Sequence, residues 1–354
     1  MPIIEKNFLK DRYLAVYGVD EIHDNFRLDL YTQIYLGGFS RQQVKKKIDE
    51  GEIKIIGRDH KLRPSTKVRY KDQISIAIPK TSHEDEFWNG EKIDLIETPE
   101  IVYEDKALLV ISKPAFMSTH PTGKHLFNCA TVFFESSLGH TCHSVHRLDR
   151  ETSGILLLGK NPKIASVLTP LFEQRKVKKC YFFIAKTKNA PNEDSFTAKE
   201  RLGTKETGLK RVYINNYPEN SAEGKKAETT FKIISRHNGY VLGLAFPHTG
   251  RGHQIRVHAK VYGLPLLGDK LYLGSYELFQ RFKDQKATKE DHVKMELPRH
   301  ALHAMGINLE YESGGKTFIA PIPHDLKSWM VKNLSVNLAD LEKTLNALIK
   351  QYFS

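Results

Sequence analysis

The chain has 354 residues, enough for two domains, and 40% of them are apolar, the share expected of a soluble protein with a buried core. No apolar run approaches the 18 or more residues of a membrane span, and Met1 to Lys10 has no signal-peptide core, so a cytoplasmic protein with no membrane partner is expected. Cys129, Cys142 and Cys180 show neither close pairing nor C-x-x-C spacing, which argues against a disulfide framework and a thiolate zinc site, while a net charge of +12 and a pI near 9.3 favour a polyanionic partner.

Residues 1–26 read as an N-terminal extension. Residues 27–78 read as a small α/β domain, and within them 27–76 hold 12 basic and 6 acidic side chains, half of the net charge in a seventh of the chain. Leu28, Tyr31, Ile34 and Tyr35 fall on one face of a predicted helix over Arg27–Leu36, ended by Gly37-Gly38. Ser40 is a plausible N-cap for a second helix, Arg41–Glu50, which presents Arg41, Lys45, Lys46 and Lys47 and turns Val44 and Ile48 inward. Ile53, Ile55 and the alternating run Val68–Ile76 predict short strands. Basic side chains on such a helix suit phosphate contacts, although a solvated face would look the same. The order S-R-x-x-V, G-x-I-K-I and K-V-x-x-x-D-x-I over about 50 residues resembles the alpha-L RNA-binding module, first known from a small-subunit ribosomal protein; the resemblance implies that Arg41, Lys45 and Lys46 contact RNA.

Residues 79–99, with the acidic stretch Ser82-His83-Glu84-Asp85-Glu86, read as a linker. From residue 100 to 328 β-rich runs dominate: Ile101–Tyr103, Ala107–Ile111, Ile155–Leu158, Tyr181–Ala185, Thr229–Ile234, Tyr240–Phe246 and Phe318–Ala320. Predicted helices lie between them at Lys163–Arg175 and Gln254–Tyr262, and Asn216–Lys226 reads as a loop. The expectation is an α+β domain built on a mixed, largely antiparallel sheet. Residues 329–354 read as a C-terminal helix packed on the body.

The chemistry concentrates in His146-Arg147-Leu148-Asp149-Arg150-Glu151-Thr152-Ser153-Gly154, followed by the apolar strand Ile155–Leu158. A carboxylate at the rim of a core stays ionised only when paired or hydrogen-bonded, and Arg147, Arg150 or a distant Arg could serve Asp149; the bland alternative is an Asp–Arg pair that pins a loop. The whole string H-R-L-D-R-E-T-S-G-I-L-L-L resembles the signature of the RluA-type RNA pseudouridine synthases. So do Leu108–Ala115 with His120-Pro121, Val177-x-Lys179-x-Tyr181, Thr249–His258, Gly263-x-Pro265-x-x-Gly268-Asp269 with Leu271-Tyr272, and Arg299–Ala304, all in the family's order. Gly252 departs from the more usual Thr or Ser, and Ser118-Thr119 from apolar residues.

The resemblance implies the pseudouridine synthase fold and an isomerase that breaks the C1′–N1 bond of uridine, turns the uracil and rejoins it through C5. No redox change or group transfer occurs, so neither cofactor nor metal is expected. By the same resemblance Asp149 is the nucleophile, acting at C1′ of the ribose or at C6 of the ring, Arg256 its partner with Arg251 as second choice, and Tyr181 a ring that stacks on the base and could serve as general base. Arg147, Arg150, Arg251 and His253 would contact RNA, Arg147 as a wedge during base extrusion. The combination of module and catalytic domain resembles enzymes acting on large-subunit ribosomal RNA; transfer RNA is the alternative substrate, and no obligate protein partner is evident. A non-catalytic RNA-binding protein is disfavoured by the presence of Asp149, Tyr181 and Arg256 together. The spacing of His140, His143 and His146, and of His248, His253 and His258, raises a metallohydrolase, but no H-E-x-x-H accompanies it.

Overall fold

A computed structural model describes residues 3–8, 12–36, 40–79, 85–96, 98–122, 125, 127–139, 141–187, 189–205, 208–311 and 314–354. They fall into two units, Met1–Asp85 with His120–Thr141, and Glu86–Thr119 with Cys142–Ser354.

The first unit contains β1 (Ile3–Phe8), β2 (Arg12–Gly18), α1 (Leu28–Tyr35), α2 (Arg41–Asp49), β3 (Ile53–Ile55), β4 (Gln73–Pro79) and α3 (Ala130–Leu138). Its antiparallel sheet runs β1-β2-β4-β3. Period-two alternation sends Tyr13, Ala15 and Tyr17 from β2, and Ile74, Ile76 and Ile78 from β4, into one core with Leu28, Tyr31, Val44 and Ile48 of the helices. Ser40 caps α2, accepting from the Gln43 amide while the Gln43 side chain returns to the Ser40 amide.

Three expectations change here. Residues 1–26, read as an extension, supply two of the four strands of this sheet. The strand expected over Val68–Ile76 begins only at Gln73, because Lys71 turns through a left-handed φ of 69° and the Val68 amide is already bonded to the Phe26 carbonyl. The chain also returns to this unit at 120–141, between two elements of the second. The expected stop at Gly37-Gly38 lies outside the described residues.

The second unit opens with a short hairpin, β5 (Phe87–Trp88) and β6 (Glu91–Lys92), inside the stretch expected as linker. It continues through β7 (Glu100–Glu104), β8 (Leu108–Lys113), β9 (His143–Ser144), β10 (Ser153–Gly159), α4 (Pro162–Glu173), β11 (Lys178–Lys186), β12 (Ser195–Ala198), β13 (Arg201–Gly203), β14 (Asn215–Tyr217), β15 (Thr229–His237) and β16 (Tyr240–Pro247). After these come α5 (Gln254–Val261), α6 (Tyr276–Lys283), α7 (Lys289–Met295), β17 (Leu302–Tyr311), β18 (Gly314–Ile319), α8 (His324–Leu334) and α9 (Leu338–Phe353). Eight strands pair in the order β12-β15-β16-β11-β17-β10-β8-β7, with β18 on β17 and β9 on β10. Every pair is antiparallel except β10 with β17. This is the mixed, largely antiparallel α+β architecture expected.

Helices cover both faces of the sheet. Cys180, Phe182, Ile184, Leu242 and Leu244 bury one face under Trp329 and Met330 of α8 and Leu341, Leu345, Ile349 and Phe353 of α9. The alternate residues Phe183, Ala185, Val241 and Ala245 bury the other under Ile255 and Ala259 of α5. The single C-terminal helix expected is thus a helical pair, broken where Ser335 adopts a φ of 52°. Asn216, expected in a loop, pairs with Leu202 in the hairpin of β13 and β14.

Candidate active site

The turn from Val145 to Gly154 is held at almost every residue. His146 accepts a hydrogen bond at Nε2 from the Leu157 amide at 3.0 Å and stacks on Phe172 of α4; burial pushes its pKa down to about 3, so it is a neutral acceptor. Thr119 Oγ1 accepts from the Leu148 amide and donates to the Leu148 carbonyl, a tie that the Ser118-Thr119 departure makes possible. The fully buried Lys113 donates to the carbonyls of Pro114, Met117 and Arg150. Glu151 accepts from Lys270 at 2.9 Å and from the His300 amide at 3.0 Å. Thr152 and Ser153 reach His300 and His303 at 2.7 and 2.9 Å.

Gly154 closes the turn at a φ of 111°, and a Cβ there would lie 2.2 Å from the Ala304 carbonyl oxygen, across the β10–β17 parallel pair. Gly154→Ala is therefore expected to cost about 3 kcal/mol, combining overpacking with a disfavoured φ. Urea unfolding of the two proteins measures it, and a loss under about 1 kcal/mol would contradict this reading.

Asp149 lies at the floor of a cleft of about 400 Å³, with its side chain 26% exposed. Arg256 of α5 donates to Asp149 Oδ2 from Nη1 at 3.0 Å. It is also clamped from Nε and Nη2 onto both oxygens of Asp269, at 2.7 and 2.9 Å. Asp269 is fully buried and accepts in addition from the amides of Leu271 and Tyr272. The Tyr272 ring underlies the Arg256 guanidinium at 5.1 Å. Burial alone would raise the Asp149 carboxyl; the positive fields of His253, Arg256 and His300 outweigh it and hold it well below the usual carboxylate range. His253 has itself been pushed down to about 4, chiefly by burial, so the lasting cation is Arg256.

Tyr181 of β11 lines the same cleft. Burial, reinforced by the Asp149 charge, pushes its phenol up and out of reach of deprotonation near neutral pH. That direction disfavours the general-base role expected of Tyr181 and leaves it a neutral ring facing the cleft. Lys179, two residues earlier on β11, also faces the cleft, donates to the Thr249 carbonyl at 3.1 Å, and is lowered to about 8 by burial.

The other expected residues divide. Arg147 is exposed at the rim with no ion pair among the described residues. Arg150 turns away from the cleft to Glu86, the Phe116 carbonyl and the Phe116 ring, and so does not pair with Asp149. Arg251 lines the cleft but holds the Lys226 carbonyl, leaving Arg256 as the partner. In the first unit, Arg41 is tied to the buried Asp29 and Lys46 to Glu50, while Lys45 is half-buried with no ion pair among the described residues. A Cβ on Gly252 would meet nothing within 4 Å, so the more usual Thr or Ser would also fit at this position. The histidine groups scatter: His258 bonds to Thr229 and Glu200, and among the described residues, which exclude His140, no three His, Cys, Asp or Glu side chains assemble as metal ligands.

Sequence reading missed Asp269 as the second partner of Arg256. The residue stood in the Gly268-Asp269 motif, but the pairing is made by the turn that carries Asp269 back beneath α5.

A carboxylate held ionised by an arginine, in a cleft rimmed by basic side chains, is suited to nucleophilic chemistry on a polyanionic substrate. Residues 107–260 match the RNA pseudouridylate synthase family. The chain is 32% identical over 256 residues to the ribosomal large subunit pseudouridine synthase C of Rickettsia prowazekii, covering 70% of this chain and 82% of that one. It is 30% identical over 268 residues to the mitochondrial tRNA pseudouridine(32) synthase of Saccharomyces cerevisiae, covering 75% of this chain and 52% of that one. Its fold is shared with the human RNA pseudouridylate synthase domain containing 4, at a TM-score of 0.52 and 24% identity over 65% of this chain and 91% of that one. The chain belongs to the RluA-type RNA pseudouridine synthases, and it is an isomerase acting on RNA.

Proposed function

We propose that the chain converts specific uridines of large-subunit ribosomal RNA to pseudouridine in the cytoplasm, with Asp149 as nucleophile. The observation that carries this reading is the 3.0 Å contact between Arg256 and an ionised Asp149 at the floor of the cleft. Arg256 keeps the carboxylate charged and fixes its rotamer, and Asp269 keeps Arg256 in place. The Asp149 oxygen bonds transiently at C1′ or C6; the C1′–N1 bond opens, the uracil turns, C5 bonds to C1′ as the bond to Asp149 breaks and returns its electron pair to the carboxylate, and the proton lost from C5 is balanced by one gained at N1.

The target base leaves its stack to reach the floor, at a cost of a few kcal/mol in a duplex, and Arg147 at the rim suits the vacated space. His253, with Arg251 holding the Lys226 segment, lies where the strand would enter. Arg41, Lys45 and Lys46 of the first unit supply sequence-independent affinity, Lys45 with the least competition from its own carboxylates.

Ribosomal RNA as substrate is supported by the name of the Rickettsia relative and by the basic first unit; transfer RNA is favoured by the name of the yeast relative. Tritium release from [5-³H]uridine in transcripts of each RNA separates them. Release from ribosomal transcripts alone supports the proposal, and release from transfer RNA alone overturns it. In the same assay Tyr181→Phe is expected to stay within about tenfold of wild type, because the buried phenol is no base, whereas Tyr181→Ala, which removes the ring beneath the base, falls by at least about 100-fold. A Phe variant as inactive as Ala would return the hydroxyl to the chemistry.

A further inference from the structure

His253 occupies the N-terminal boundary of α5 with a left-handed φ of 53°, a conformation that costs energy for a residue with a Cβ and that aims its ring into the cleft. Its Nδ1 is 2.9 Å from the Tyr272 hydroxyl. That hydroxyl also accepts from the Ile214 amide at 3.0 Å. An amide N–H cannot accept, and among the described residues Nδ1 is the acceptor within reach of the one hydrogen that the Tyr272 hydroxyl has to give, so the arrangement that uses this hydrogen has Nδ1 accepting. A ring that accepts at Nδ1 carries its own hydrogen on Nε2. The nearest charged oxygen, Asp149 Oδ2, is 3.9 Å from Nε2, beyond hydrogen-bond reach and across the space a nucleotide bonded to Asp149 must enter.

Resting on the proposed role of Asp149, we infer that His253 is a second catalytic donor: a neutral imidazole, locked as the Nε2–H tautomer by Tyr272, that hydrogen-bonds the substrate as the uracil detaches with its electron pair. An N–H placed there acts on charge that exists only once the C1′–N1 bond has opened, so it lowers the barrier without tightening ground-state binding. The charges around it are Asp149, Arg256, Asp269 and His300, with the Tyr272 phenol behind; burial and Arg256 together keep the ring neutral against the two carboxylates. Proton balance is untouched, because His253 donates a hydrogen bond and transfers no proton. Tyr272 acts through His253 and is a positioning residue, and it joins the Ile214 segment to the cleft.

The test has two readouts. In ¹⁵N-labelled full-length protein without RNA, the imidazole signals lost in His253→Gln are expected to be those of a neutral ring with hydrogen on Nε2 at pH 6, and Tyr272→Phe is expected to mix the tautomers. In single-turnover tritium release, His253→Leu is expected to lower kcat about 100-fold at unchanged KM, His253→Gln to recover at least about tenfold of that, and Tyr272→Phe to lower kcat with the residue at 253 intact. An imidazolium or an Nδ1–H ring, or a Leu variant with wild-type kcat, overturns the inference. Wild-type protein inactive on every RNA would overturn the proposed function instead, while the tautomer would still be read.

Discussion

Asp149→Asn is expected to lower pseudouridine formation by at least about 10⁴-fold while leaving RNA affinity within about threefold of wild type. The amide is isosteric and its oxygen still accepts from Arg256, so the cleft keeps its shape, but the negative charge that makes the oxygen a nucleophile is gone. Folding should not suffer: Arg256 retains both oxygens of Asp269, and the turn around Asp149 is held by Thr119, Lys113, Glu151 and Gly154 rather than by Asp149 itself. Single-turnover assays together with filter binding and a thermal melt measure all three. A variant that keeps the activity removes Asp149 from the mechanism; one that melts many degrees lower assigns Asp149 to structure.

Arg256→Met is expected to damage both activity and stability. The guanidinium bridges two carboxylates, and its loss leaves Asp269, fully buried, with the Leu271 and Tyr272 amides as its only hydrogen-bond donors among the described residues. Breaking a buried pair from one side costs about 3–5 kcal/mol. The activity falls at least about 10³-fold as well, because Asp149 loses the cation that keeps it charged and oriented. Adding Asp269→Leu to Arg256→Met removes the stranded charge, so the double variant should regain part of the stability and none of the activity, and a double-mutant cycle reads the coupling. Both carboxylates are held below their unfolded values, so their contribution is complete above about pH 4 and is lost as pH falls through the depressed folded values. Acid titration of the single variant should therefore show a shallower loss than that of wild type. Equal stability and equal acid sensitivity would show that Arg256 does not hold Asp269.

Much of this site is legible in the sequence because the motif is a set of local constraints. Within His146–Gly154 five residues meet a local demand that their type satisfies: a neutral imidazole for the Leu157 amide, a carboxylate between Lys270 and His300, hydroxyls for His300 and His303, and no Cβ against Ala304. The strands were legible where alternation or an unbroken apolar run marks a buried sheet, as in β10 and β16. The pairing of partners was not. Arg150 and Arg256 are equally arginine, and only the fold turns one to Glu86 and the other to Asp149. Residues 1–26 were misread because β2 has mixed, partly polar neighbours and finds its partner in β4, more than fifty residues on. Tyr181 was offered as a base because burial, which sets its acidity, is a property of the folded cleft and not of the motif.

The most direct test of the central claim is a pseudouridine map of ribosomal and transfer RNA, by carbodiimide labelling and primer extension, in cells lacking the gene and in the same cells supplied with wild-type protein or Asp149→Ala. Large-subunit ribosomal sites that vanish on deletion and return only with wild type are predicted; sites that return with Asp149→Ala, or no site that depends on the protein, would contradict it.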